Sequence, residues 1–185
     1  MNNLQPITFL MPVIALILSF IFYLFLKNKA TNEGAFKRFI CIVAVLAFFL
    51  NFFWEILQMP LYKSPDYNFQ SISFCALASL ADVIMVLLLY MCFALFYPQP
   101  LMVQHFTFFG VLLVMLIGAI GAIVIEMMYV SSGSWAYGES MPIIPVVNAG
   151  LSPVLQFMIL PVLIYYTGFK ILRYKEISEA QFDVH

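Results

Sequence analysis

Charge is what this chain has least of. Lysine and arginine together number 8 and aspartate and glutamate 9, so that 9% of its 185 residues are charged. A soluble domain carries about 25% charged residues, and so sparse a set cannot cover a water-facing surface. The 64% hydrophobic content makes lipid the solvent instead. Cysteine is nearly as scarce. Cys41, Cys75 and Cys92 all lie in apolar runs, are odd in number and form no Cys-x-x-Cys pair. A disulfide framework and a zinc site are both excluded on that ground. The two histidines, His105 at a helix end and His185 at the terminus, leave no axial ligand for haem. No lysine or arginine falls in the core of an apolar run, which excludes a Schiff-base chromophore. No basic cluster with interleaved aromatics offers a surface to nucleic acid. Nothing calls for a cofactor or a metal.

What is present is five long apolar runs, at about 7–26, 36–60, 72–96, 106–130 and 151–172. At 1.5 Å per residue each can cross roughly 30 Å of hydrocarbon. Backbone in lipid must satisfy its own hydrogen bonds, and these runs lack the period-two alternation of a barrel, so they are helices. The expected fold class is all-α, an integral membrane bundle of five transmembrane helices forming one domain over 1–185, with a tail at 174–185. The first run has no preceding positive residue and no small-x-small cleavage site, so it reads as a retained span rather than a signal peptide. No internal repeat points to an inverted-topology transporter.

Orientation follows from the cations. Lys27, Lys29, Lys37 and Arg38 follow the first span, and Lys170, Arg173 and Lys175 follow the fifth, against Lys63 alone on the other side. The positive-inside rule then puts the C-terminus in and the N-terminus out, in a bacterial inner membrane. Tyr62–Ser71 is a short polar loop with a turn at Pro65 and Asp66, whereas 131–150 mixes Trp135, Tyr137, Pro142, Pro145 and glycines. That loop reads either as an interfacial anchor or as a lid folded back on the bundle. Tyr97, Pro98, Gln99 and Pro100 make a tight stop between two spans. Pro153 and Pro161 are expected to bend the fifth. Gly118, Gly121 and Ala122 mark a close-approach face on the fourth.

The chemistry lies in three intramembrane acids, Glu55, Asp82 and Glu126. A charge at the centre of a span costs about 2.5–3.5 kcal/mol on insertion scales, so such residues face inward and default to functional candidates. Asn51, Glu55 and Gln58 are spaced i, i+4, i+7 and share one helix face. Asn148, Ser152 and Gln156 repeat at i, i+4, i+8 and would line one stripe if the fifth span began by Asn148. The acids are therefore the catalytic candidates, in a pocket open to the outer face. Asn51, Trp54, Gln58, Trp135, Tyr137, Asn148 and Gln156 are the substrate-binding ones. A carboxyl that keeps its proton in an apolar cleft is a general acid, which suggests a cyclase or isomerase of an apolar lipid or isoprenoid. The alternatives are a transporter binding a proton, cation or small molecule as a homo-oligomer, and a scaffold subunit of a membrane complex.

The run Asn51, Trp54, Glu55, Gln58, Met59, Pro60 and Tyr62, with Asp82, Glu126, Trp135, Tyr137, Met141, Pro142, Pro153 and Gln156, resembles a group of small uncharacterised multi-pass bacterial membrane proteins. Asn51, Trp54 and Glu55 are also similar to a stretch in integral-membrane terpene cyclases. That likeness implies a membrane-borne glutamate and aspartate as proton donors. This chain has fewer spans than those cyclases.

Overall fold

The computed structural model describes residues 10–63, 67–105, 107–133 and 135–182. The start of the first expected span, the turn at Pro65 and Asp66, Phe106 and His185 lie outside them. Five α-helices account for most of the described residues: α1 (Leu10–Lys29), α2 (Glu33–Gln58), α3 (Phe69–Ala94), α4 (Phe108–Ser131) and α5 (Leu151–Phe182). All five are long and apolar enough to cross a membrane.

The helix ends depart from the apolar runs for local reasons. α2 begins at Glu33 because the Asn32 side chain accepts a hydrogen bond from the Ala35 amide, an N-cap that lets the helix start among charges. Asn68 and Thr107 cap α3 and α4 in the same way, through Ser71 and Gly110. Pro60 tightens the end of α2 into a 3₁₀ turn at Met59–Leu61. α5 continues through Phe182, so most of the expected tail is helical. Pro153 falls in the first turn of α5, where its missing amide costs nothing. Only Pro161 lies inside the helix.

The helices pack in the order α4, α5, α2, α3, α1, so that α2 and α5 form the central pair. The half of the bundle nearer Lys27 and Lys29 is an apolar core. Phe39 stacks on Phe169 with centroids 4.1 Å apart and meets Tyr90 at 4.9 Å. Buried Tyr90 and Tyr165 hydroxyls donate to the Pro100 and Val86 carbonyls at 2.8 and 2.6 Å. Lys29 donates to the Leu95 and Tyr97 carbonyls just after α3, tying the α1–α2 turn to that end. Its neighbours Lys27 and Lys37 pair with Glu33 at 3.3 and 2.5 Å.

α3 and α4 follow one another through a 3₁₀ segment at Pro100–His105, yet they do not pack along each other. α3 packs on α2 and α4 on α5, so that they flank the α2–α5 pair. At the end away from the lysines, residues 135–150 fold back over the bundle. Ile143–Ile144 (β1) pairs antiparallel with Ala149–Gly150 (β2). Upstream of that hairpin, the Lys63 amide donates to Ala136 and the Gly138 amide to Leu61, at 3.0 and 2.8 Å. The segment therefore acts as a strap joining the ends of α2, α4 and α5.

Candidate functional site

The polar side chains converge at the strapped end, and Gln156 is their hub. It is 1% exposed, and its Nε2 lies 2.9 Å from Asn51 Oδ1, 3.1 Å from Asp82 Oδ2 and 3.4 Å from Glu55 Oε1. One amide from α5 thus ties α2 to α3. Asn51 is aimed by its own Nδ2, which donates to the Ala47 carbonyl at 2.8 Å. Gln58 Nε2 donates to Glu55 Oε1 at 2.8 Å and to Gln156 Oε1 at 3.3 Å. The shared α2 face expected from the i, i+4, i+7 spacing is thus present. With 3.4 and 3.1 Å to the same nitrogen, Glu55 Oε1 and Asp82 Oδ2 are no more than 6.5 Å apart.

Glu126 is held differently. It is 5% exposed, and its Oε2 accepts from Trp135 Nε1 at 3.3 Å and from the Tyr137 hydroxyl. Tyr137 in turn accepts from the Gly150 amide at 2.8 Å. A Cβ on Gly150 would stand 3.0 Å from Tyr137 Cε1, so the glycine makes room for the ring. Trp135 and Tyr137 turn inward onto an acid rather than outward as anchors. Glu126 remains within electrostatic reach of both Glu55 and Asp82.

Glu55 Oε2, Asp82 Oδ1 and Glu126 Oε1 bond to no described residue. Among the described residues no buried polar side-chain atom lacks a partner. No group of three metal-ligating side chains close enough to hold an ion occurs among the described residues.

One expectation needs correction. Asn148 does not extend the Ser152–Gln156 stripe. α5 starts at Leu151, whose amide is used by the Pro142 carbonyl at 2.8 Å, and Asn148 sits exposed in the hairpin at φ 53°. Left-handed backbone is a conformation asparagine tolerates, so its role there is in the turn.

Two residues join that were not among the candidates. Ser152 donates to Gln58 Oε1 at 2.8 Å and accepts from Trp54 Nε1 at 3.3 Å. With Trp54, Leu57, Gln58 and Leu61 it lines a cleft of about 150 Å³ between α2 and α5. Ligand pockets run to about 300–1,000 Å³, so this cleft seats a chain end at most. Tyr62 lies within electrostatic reach of Glu126, Glu55 and Asp82, and burial followed by those carboxyls pushes its phenol well above the ordinary range. Burial, then the bond to Glu126, does the same for Tyr137. Both phenols therefore stay protonated as donors. Their position next to Pro60 and in a Gly-rich loop carried the only sequence signal for this.

A comparison with protein-family models, with curated proteins and with solved structures finds no match to this chain, so the site is defined by its own geometry.

Proposed function

We infer that this is a multi-pass protein of a bacterial inner membrane, with the strapped end outside and the lysine-rich end inside, and that its three acids form an acid–base centre for an apolar lipid or isoprenoid. The observation that carries this reading is the unequal supply of donors to carboxyls from three different helices. Glu126 Oε2 has two donors, a setting that suits an oxygen bearing negative charge. Glu55 and Asp82 each receive one close amide N–H, at 2.8 and 3.1 Å, both from side-chain amides. A proton kept by that pair can be donated to a ligand bound beside it, with Glu55 as general acid and Glu126 as the carboxylate that takes it back.

The test compares membrane lipids of cells with and without the gene, and of cells complemented with wild type or Glu55→Gln. An isoprenoid or lipid species that changes on deletion should return with wild type and not with Glu55→Gln at equal folded yield. Full restoration by the glutamine variant sinks the acid–base reading. Orientation has its own check, with Cys41, Cys75 and Cys92 replaced by serine. A thiol introduced at exposed Ser140 should react with an impermeant maleimide on intact spheroplasts, and one at exposed Asn28 only after lysis. The reverse pattern inverts the topology.

The second reading, a cation- or amine-binding transporter, draws on one observation. The three acids take their hydrogen bonds from glutamine, tryptophan and tyrosine side chains, with no lysine or arginine among those partners. That reading predicts altered ion or amine tolerance with unchanged lipids.

A further inference from the structure

We propose that the cleft between α2 and α5 seats the hydroxyl end of an apolar chain, whose O–H donates to the oxygen pair formed by Ser152 Oγ and Gln58 Oε1. The proposal names an end group for the lipid of the acid–base reading, but the binding it describes needs none of the three acids.

The hydrogen bonds around the cleft run in one direction. Trp54 Nε1 can only donate, and it does so to Ser152 Oγ at 3.3 Å. The Ser152 hydroxyl gives its own hydrogen to Gln58 Oε1 at 2.8 Å. Both hydrogens of Gln58 Nε2 go inward, to Glu55 Oε1 at 2.8 Å and to Gln156 Oε1 at 3.3 Å. Every donor of the polar wall is thereby committed. The two oxygens each accept one bond and have capacity for a second. What the wall offers is acceptors alone, so its complement is a donor. An anion or a carbonyl would set lone pairs against lone pairs. The other lining residues are Leu57, Leu61 and Trp54, none of them charged. A charge taken out of water needs a partner, so a neutral hydroxyl suits this wall and a cation does not.

Size and setting fix the rest of the molecule. A volume of about 150 Å³ takes a hydroxymethyl group and a few carbons, not a whole lipid. Gln58 is the last residue of α2 and Ser152 the second of α5, so the polar wall lies at helix ends. Back along α2, Phe49, Phe53 and Leu57 recur every fourth residue and are 64, 63 and 61% exposed. They form one outward apolar stripe, and its last member lines the cleft. A chain laid on that stripe keeps its carbons against apolar side chains while its end reaches Ser152. Hydrocarbon tails carry no donor, so the oxygen pair separates an apolar alcohol from bulk lipid.

The experiment uses the full chain in phosphatidylethanolamine–phosphatidylglycerol vesicles, with a dodecan-1-ol that carries a diazirine at its third carbon. After photolysis, mass spectrometry should find most of the label on residues 54–61 and 151–152. Competitors are compared at equal mole fraction in the bilayer. Dodecan-1-ol is expected to displace the label about tenfold better than 1-methoxydodecane, the equivalent of one hydrogen bond. The ether keeps the chain and the oxygen but lacks the O–H. Farnesol in the same series tells an isoprenoid alcohol from a straight-chain one, since the better competitor names the source. Leu57→Trp and Leu61→Trp narrow the cleft from two walls, and both should lose the label without loss of thermal midpoint. Equal displacement by alcohol and ether in wild type overturns the proposal whatever the variants do. So does label that survives in both variants, or that spreads evenly over the outward helix faces. A Glu55→Gln variant that restores the lipid profile removes the acid–base reading and leaves these binding outcomes intact.

Discussion

Replacing Gly118 by alanine is expected to detach α4 from the bundle. A Cβ there would stand 2.1 Å from the carbonyl oxygen of Phe157 and 3.0 Å from its carbon. Both are main-chain atoms of α5, so no side-chain rotation relieves the contact and the helix axes must separate. Overpacking usually costs about 1–3 kcal/mol, and a clash with rigid backbone belongs at the top of that range, about 3 kcal/mol. No second interface compensates, since α5 with its adjoining hairpin is the extended partner of α4. Glu126 rides on the same helix, so the acid would leave the other two with it. Gly121→Ala is the internal control, because a Cβ at Gly121 meets nothing within 4 Å. There the better helix propensity of alanine predicts no loss, or a gain of up to about 1 kcal/mol. Thermal unfolding in detergent followed by tryptophan fluorescence separates the two. Equal midpoints for both variants would falsify the close α4–α5 approach.

That pair of glycines also marks how far the sequence can be read. Gly118, Gly121 and Ala122 look alike as small residues, but a helix turns 100° per residue, and Gly118 and Ala122, four apart, share the buried face. Nothing local says which face meets α5. The five long helices were legible because runs so long and so apolar lack the alternation of strands, and their ends were misjudged by a few residues where caps such as Asn32 carry a helix into polar sequence. Within one helix, the alignment of Asn51, Glu55 and Gln58 followed from spacing. Between helices nothing did. That Gln156 bonds to Asp82 rather than to Glu126 depends on the packing order α5–α2–α3, which no periodicity encodes. Trp135 and Tyr137 suited a membrane interface by composition, and their inward turn depends on Glu126 lying one helical end away. Asn148 was misplaced because the hairpin at 143–150 delays the start of α5, and paired strands of two residues leave almost no pattern.

Substituting Gln156 by leucine should cost the strapped end of the bundle its cohesion with little change in volume. Leucine fills most of the space but supplies no N–H, so Asn51 Oδ1 and Asp82 Oδ2 lose the donor now at 2.9 and 3.1 Å, and Gln58 Nε2 loses the acceptor at 3.3 Å. Each buried group left unpaired costs about 1–3 kcal/mol, whereas pairwise polar contacts inside membrane proteins average only about 0.6 kcal/mol. Asn51 is 1% exposed and cannot turn to water, and its Nδ2 is already committed to Ala47, so the upper scale applies to it. Asp82 is partly exposed and can recover a partner from outside the cluster, so the lower scale applies. The expected loss is about 2–4 kcal/mol. A double-mutant cycle apportions it. Asn51→Leu removes the acceptor that needs Gln156, so the double variant Asn51→Leu with Gln156→Leu should be more stable than the two single losses predict. Strict additivity would mean that the Asn51–Gln156 bond contributes nothing, and that α2 and α5 are held at this end by the Trp54–Ser152–Gln58 contacts instead.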